Sequence, residues 1–314
     1  MPYSVHAKNL GAKAEKTIGL NYYYGRNGFK RNYSKAAYWF RKAAERGYVN
    51  AQAHLGSAYY HGLGVKRNYS KAFYWIRKAA NHGNLHALYG LGVLYYLGQG
   101  IAQNYSKAYY WFRKAANHGN PVAQYWMGVS YQLGRGGIIR NYIKAVYWYK
   151  KAAEQGNSAA QLRLGEAYLL GHGTTQNYSK AVYWYKKAAE QGNPYAQYDL
   201  GNMYSFGRGV VLNYPKAVYW WEKAAERGSS DGQFALGGAY YLGQGVKKSN
   251  FKAVYWFKKA AMHGNSEGEC ALGALYYSGQ GIPQNTTNAL YWLHKSAAQG
   301  NKNARTLLNK IERR

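Results

Sequence analysis

The side chains able to do acid–base, nucleophilic or metal chemistry are few: twelve carboxylates, nine histidines and one cysteine among 314 residues. Their spacing sets none of them to work with another. His82 and His86 have a metal-like separation, but Gly83-Asn84 breaks the helix between them, so they share no ligand face. His54 and His61 lie two turns apart with no histidine or carboxylate between them. Glu267 and Glu269 are two positions apart on a helical segment and point in different directions, which denies them the paired geometry of general acid–base catalysis. Cys270 has no histidine three or four residues away and is expected to pack as a small hydrophobe. His82, His118 and His263 fall in the last turn of helical segments, where the helix end favours a proton, so capping accounts for them. Recurrent Gly-x-Gly turns follow no strand and are helix stops, not phosphate loops. The expectation is a protein with no catalytic, cofactor-binding or metal-binding residue, and no enzyme.

What does recur is tyrosine, tryptophan and lysine. Eight tryptophans, Trp39, Trp75, Trp111, Trp148, Trp184, Trp220, Trp256 and Trp292, stand 36 or 37 residues apart, the mark of a repeat array. The one extra residue falls in the turn Gly134–Asn141. Each Trp lies in a frame such as Asn68-Tyr69-Ser70-Lys71-Ala72-Phe73-Tyr74-Trp75, followed by Ala79-Ala80 and Gly83. Ala72, Trp75 and Ala79 give the 3, 4 spacing of one helical face, with Asn68 as N-cap and Gly83 as the left-handed stop. This is the B helix of each repeat. The five Asn-x-Ser/Thr sequons, at Asn32, Asn68, Asn104, Asn177 and Asn285, coincide with such caps and are read as caps. The A helix opens at Asn84, Asn120 or Asn193 and carries the pattern Ala87, Leu91, Gly92, Tyr95. A glycine inside a helix costs ~1 kcal/mol against alanine. Its recurrence at Gly56, Gly92, Gly128, Gly165, Gly201, Gly237 and Gly273 therefore predicts a close helix crossing at each.

The combined signature of Leu-Gly, Tyr, Gly-x-Gly, Lys-Ala, Trp and Ala-Ala resembles the Sel-one-like repeat, a tetratricopeptide-like family, along essentially the whole chain. The resemblance implies an all-α, right-handed α-solenoid of about eight antiparallel helix pairs, with A helices lining the concave face, in one domain spanning 1–314. It implies an adaptor that holds other proteins. Residues 1–30 form an irregular first A helix and N-terminal cap, and 301–314 a C-terminal capping helix, as arrays need for solubility. The cysteines that staple exported relatives are missing here, so the weak hydrolase activity suspected in cysteine-rich relatives is the least supported alternative. Asn replaces the family's acidic B-helix cap, which raises the net charge.

Tetratricopeptide geometry places groove positions five and two before the A-helix Leu, and two and five after it. The candidate partner contacts on this concave face are Tyr60, His86, Tyr89, Tyr96, Tyr125, Gln132, Tyr195, Tyr198, Phe234, Tyr241 and Tyr277. Rigid aromatic side chains of this kind anchor a peptide or helix. On the B helices, Lys four before the Trp and Lys three after it flank a tyrosine as one stripe: Lys35 and Lys42, Lys71 and Lys78, Lys107 and Lys114, Lys180 and Lys187. Such a convex wall, in a chain of formal charge +30, is the alternative site, suited to nucleic acid, acidic lipid or an acidic protein.

With 47% hydrophobic residues, a mean hydropathy of −0.59 and no apolar run near 18 residues, a spanning helix is not expected. One cysteine allows no internal disulfide. Met1–Lys16 has no apolar core of a secretory signal, so the expected location is cytoplasmic, or another cell reached by a signal-independent secretion system.

Overall fold

The computed structural model describes residues 11–312, and among them there are 17 helices and no strands. The chain divides into two compact units that meet in sequence at Gln155 and Gly156. The first contains α1 (Ala12–Tyr24), α2 (Tyr33–Glu45), α3 (Val49–His61), α4 (Tyr69–Asn81), α5 (Leu85–Leu97), α6 (Tyr105–Asn117), α7 (Pro121–Leu133) and α8 (Tyr142–Glu154). The second contains α9 (Ser158–Leu170), α10 (Tyr178–Glu190), α11 (Pro194–Phe206), α12 (Tyr214–Glu226), α13 (Ser230–Leu242), α14 (Asn250–Met262), α15 (Ser266–Ser278), α16 (Thr286–Ala298) and α17 (Lys302–Glu312). Odd-numbered helices up to α15 are A helices and even-numbered ones B helices, so the fold is an array of helical hairpins.

The caps explain why helices begin and end where they do. Asn68 Oδ1 accepts from the Lys71 N–H at 2.9 Å and Asn84 Oδ1 from the Ala87 N–H at 3.0 Å. Each A helix ends on a left-handed glycine such as Gly98, φ 70°. The turn then returns far enough for the Asn104 N–H to donate to the Tyr95 carbonyl at 2.8 Å, which ties the two helices of a pair together at the turn. The second glycine of the turn is demanded by space as well as by φ: a Cβ on Gly64 would overlap the Tyr33 carbonyl of the preceding B helix.

The mid-helix glycines have the expected reason. A Cβ on Gly92 would come within 2.5 Å of the Phe112 ring, and the same clash recurs between Gly165 and Tyr185, Gly201 and Trp221, and Gly237 and Phe257. The residue filling the crossing is the one after the ladder Trp. This corrects the sequence reading of the B-helix face: Ala72, Phe73, Ile76, Ala79 and Ala80 are buried, while Trp75 and its seven counterparts are half-buried at the margin. The 3, 4 pattern was right and its aromatic member was assigned one residue early.

Successive pairs within a unit are joined by a buried glutamine on the A helix. Gln52 Nε2 donates to the Ala44 carbonyl of the previous B helix at 3.3 Å, and Gln197 and Gln233 do the same to Ala189 and Ala225 at 3.0 and 3.2 Å. Gln191 Nε2, near the end of the B helix in the same pair, donates to Gln161 at 2.7 Å. No described helix is long and apolar enough to cross a membrane. Residues 1–10, where most of the secretory-signal reading falls, lie outside the described residues.

Candidate partner-binding site

Within each unit the A helices bring their Leu−5, −2, +2 and +5 positions onto one face. Tyr60, Tyr89, Tyr96, Tyr125, Gln132, Tyr198, Phe234, Tyr241 and Tyr277 are half-buried, and His86 and Tyr195 are exposed. None of the candidate aromatics is sealed in the core. Several are nevertheless supported by it: Tyr89 leans on Phe112 with ring centroids 6.0 Å apart, Tyr125 on Tyr149 at 5.9 Å, and Phe234 on Phe257 at 5.6 Å. One edge of each such ring packs inward while the rest meets solvent. Burial pushes the Tyr89 phenol above its ordinary value, against a hydrogen bond with Trp126 that acts the other way. Tyr96 sits between Tyr105 and Trp126, at 5.2 and 4.7 Å, and accepts from Arg135 Nη1 at 3.0 Å. Gln132 accepts the Tyr149 hydroxyl, and Tyr241 donates to Gln280 at 3.1 Å.

Between α3 and α5 this face opens into a cavity of about 290 Å³. Tyr60, Tyr89, Ser57 and Val93 form its walls and Ile76 its floor, with His61 and Gly90 at the side. The cavity exists because the residue before the A-helix Leu is glycine in this repeat. In the next repeat the same position is Trp126, whose ring stacks on Phe112 at 5.7 Å.

That position, immediately before the Leu, was absent from the sequence-derived site. It reads His54, Gly90 and Trp126 in the first unit, then Arg163 and Asp199 in the second. His54 stacks on Phe40 at 4.9 Å, and burial, Lys16 and His86 hold its pKa down. Arg163 Nη1 reaches both Glu166 oxygens, at 3.2 and 2.9 Å. Asp199 is pushed up to about 7 by burial and by the neighbouring Glu166 and Asp231, with Arg163 opposing. A helix-by-helix charge count would have found it. The segments of α3, α5 and α7 hold no Lys, Arg, Asp or Glu, whereas those of α9, α11, α13 and α15 hold five carboxylates and one Arg.

The candidate B-helix lysines are exposed apart from the half-buried Lys42, but the two lysines of each stripe serve different rings. Lys35, Lys71, Lys107 and Lys180 turn toward an A-helix tyrosine, with ammonium to centroid distances of 5.4, 5.5, 5.6 and 5.4 Å onto Tyr22, Tyr59, Tyr95 and Tyr168. Lys42, Lys78, Lys114 and Lys187 instead lie over the Tyr-Trp pair of their own helix, as Lys78 does at 4.9 Å from Tyr74 and 5.4 Å from Trp75. A cation over a ring is worth ~0.5 to 1 kcal/mol at exposed sites, so these lysines also brace the surface.

No group of three or more His, Cys, Asp or Glu able to hold a metal occurs among the described residues. Cys270 is half-buried against the cluster of Leu293, Ala304 and Leu308, and burial followed by Glu267 pushes its thiol pKa up, away from the reactive thiolate.

Comparison with known proteins gives a consistent picture. The family model described as "Sel1 repeat" matches eight times, over residues 12–48, 49–84, 85–120, 121–157, 158–193, 194–229, 230–265 and 266–301. Among solved structures, an Escherichia coli protein described as c5321, a protective antigen of uropathogenic strains with an SLR fold, is 38% identical with a TM-score of 0.82. That similarity covers 96% of this chain and 64% of the antigen, so the chain spans under two thirds of that protein. A Sel1 repeat protein from Oxalobacter formigenes is 34% identical, TM-score 0.72, over 96% of this chain and 87% of its own. No curated protein matches.

Proposed function

The chain belongs to the Sel1 repeat family, whose members are generally protein-interaction scaffolds, and from that premise we propose that it is a non-enzymatic adaptor that captures a protein segment along the face formed by its A helices. The observation that carries the reading is the cavity between α3 and α5, which opens among four of the sequence-derived groove positions and is large enough for an aromatic or branched aliphatic side chain. Half-exposed tyrosines on both sides, already braced by the core, would be ordered before binding and lose little entropy on contact.

Gly90→Leu tests this cleanly. A Cβ at Gly90 meets only Ile76, at 3.5 and 3.8 Å, so a side chain fills the cavity without disturbing the crossing and improves the helix by ~1 kcal/mol. Affinity capture followed by mass spectrometry should lose the proteins held by the wild type while the melting temperature holds or rises. Retention of the same proteins would sink the groove assignment.

The alternative, an anionic partner on the B-helix lysines, is favoured by one observation: residues 1–155 hold 23 Lys and Arg against three acids. It predicts capture that falls steeply with salt and with Lys71→Glu, Lys107→Glu and Lys180→Glu together.

A further inference from the structure

On the A helices of residues 156–312 the surface chemistry changes sign. Five carboxylates stand on α9, α11, α13 and α15 in a chain of formal charge +30. Glu269 is buried, held by Lys295 at 3.0 Å and Gln299 at 2.7 Å, and is structural. Glu166, Asp199 and Asp231 are different: they lie on three successive A helices, close enough for Asp199 to respond to both others. Arg163 partners Glu166, and Asn265 Nδ2 donates to Asp231 at 2.8 Å. No hydrogen bond or ion pair among the described residues holds Asp199.

Beneath them is the Tyr185 hydroxyl. The side chain is fully buried, its oxygen has no hydrogen-bond partner among the described residues, and it lies in the field of the Asp199 and Glu166 carboxylates. Neighbouring crossings show how unusual this is. The matching Tyr149 donates to Gln132, and the matching Trp221 donates from Nε1 to Asn202 at 3.1 Å. On α9 the first acceptor position is Leu169, and the second is Glu166, which is turned to Arg163. An orphaned buried hydroxyl under an unpaired carboxylate is costly unless a ligand completes the set.

We propose that this cluster receives an arginine side chain of the captured segment, its guanidinium bridging Asp199 and Asp231, with the Tyr185 hydroxyl turned to Asp199 from below. This rests on the capture reading and names the partner's chemistry at a second point on the same face. Arginine suits the site better than a compact ammonium because its planar fork can meet two carboxylates at once and lie against the half-buried Tyr198 ring. The surrounding charge argues for local contacts: residues 156–314 carry 19 Lys and Arg against nine acids, so the unit as a whole repels cations. A cation that binds here does so through the cluster, and short-range contacts in a partly buried site are little screened by salt.

The test uses the full chain and a short fluorescein-labelled peptide of Gly, Tyr and Arg, read by anisotropy, beside the same peptide with citrulline at each Arg. Binding of the arginine peptide should fall about tenfold with Asp199→Asn or Asp231→Asn, the loss of one charge-assisted pair. It should fall about threefold with Tyr185→Phe and stay within about twofold for Glu222→Gln, an exposed acid on a B helix. Between ~50 and ~300 mM salt it should change by less than about threefold. Wild-type binding by the Asp199→Asn protein, equal binding of the citrulline peptide, or displacement by spermine at equal charge each overturns the proposal. Thermal melting guards against misfolding, since the isosteric Asp199→Asn removes a disfavoured charge and should not destabilise. If Gly90→Leu abolishes capture of cellular proteins while the arginine peptide fails to bind, the adaptor reading stands and this one falls. Asp199-dependent peptide binding with capture indifferent to Gly90→Leu upholds the arginine site and removes the groove assignment.

Discussion

The A-helix faces of the two units share a frame and differ in what the frame displays. On α3, α5 and α7 the face is aromatic and free of Lys, Arg, Asp and Glu, with a cavity at Gly90 and His54 stacked on Phe40. In residues 156–312 it carries Glu166, Asp199 and Asp231 over the buried Tyr185. Beneath both, the same glycine accepts the same large residue from the B helix, Gly92 on Phe112 in one and Gly237 on Phe257 in the other. The difference teaches that the repeat conserves packing where helices cross and leaves the positions around the Leu free to set chemistry unit by unit.

The largest expected effect tests the shared part. Gly92→Leu and Gly237→Leu should each cost ~3 kcal/mol or more, because the new side chain must displace a buried ring. Hydrogen exchange in the affected pair measures it, and a large loss in one unit with none in the other would break the claim of a common frame.

The next effect should be confined to the first unit. Tyr89→Glu places a charge at the cavity wall and should weaken capture at least ~10-fold, with helicity kept by circular dichroism. Tyr198→Glu, the matching change in the second unit, should by contrast weaken only partners that lack a basic side chain.

The smallest effects are opposite responses to pH. The folded-state pKa of Asp199 is raised from 3.8 to about 7, so the fold prefers its protonated form, and stability in α11 is lost as pH rises through that window. The groups facing it are Arg163 and Glu166 on α9, Tyr185 on α10, Tyr198 on α11 itself and Asp231 on α13. Asp199→Asn should abolish the slope, read as the change in melting temperature between about pH 4 and 8. His54 is held below 6.5, mainly by burial, so the fold prefers it neutral and α3 loses stability as pH falls through 6.5. Opening free energies in α3 and α11, from hydrogen exchange corrected for the intrinsic rate at each pH, that moved in the same direction with pH would sink this contrast.

Much of the fold was legible from residue types alone. Asn68, Gly83 and Asn84 mark helix ends by capping chemistry that acts within a few residues, and Gly92 announces a crossing because nothing local rewards a glycine there. The Trp ladder gave the period yet misplaced the core, since Trp75 and Ile76 are adjacent and both apolar. Only the partner helix decides which of the two turns inward. The candidate site was legible in part: counting outward from the Leu found the aromatics. It missed Asp199 and Arg163 because tetratricopeptide geometry assigns no groove role to the position before the Leu.

The sequence by itself determined the period, the helix boundaries, the glycine at each crossing and the sign of charge on each helix, because these depend on backbone conformation and composition over a few turns. Tertiary structure alone decided that Gly90 opens a cavity where Trp126 closes one, and that the Tyr185 hydroxyl is orphaned because Leu169 stands where Gln132 would accept it. Cavities and unpaired donors belong to what two helices place opposite each other, and that pairing is set by packing across pairs many residues apart in the chain.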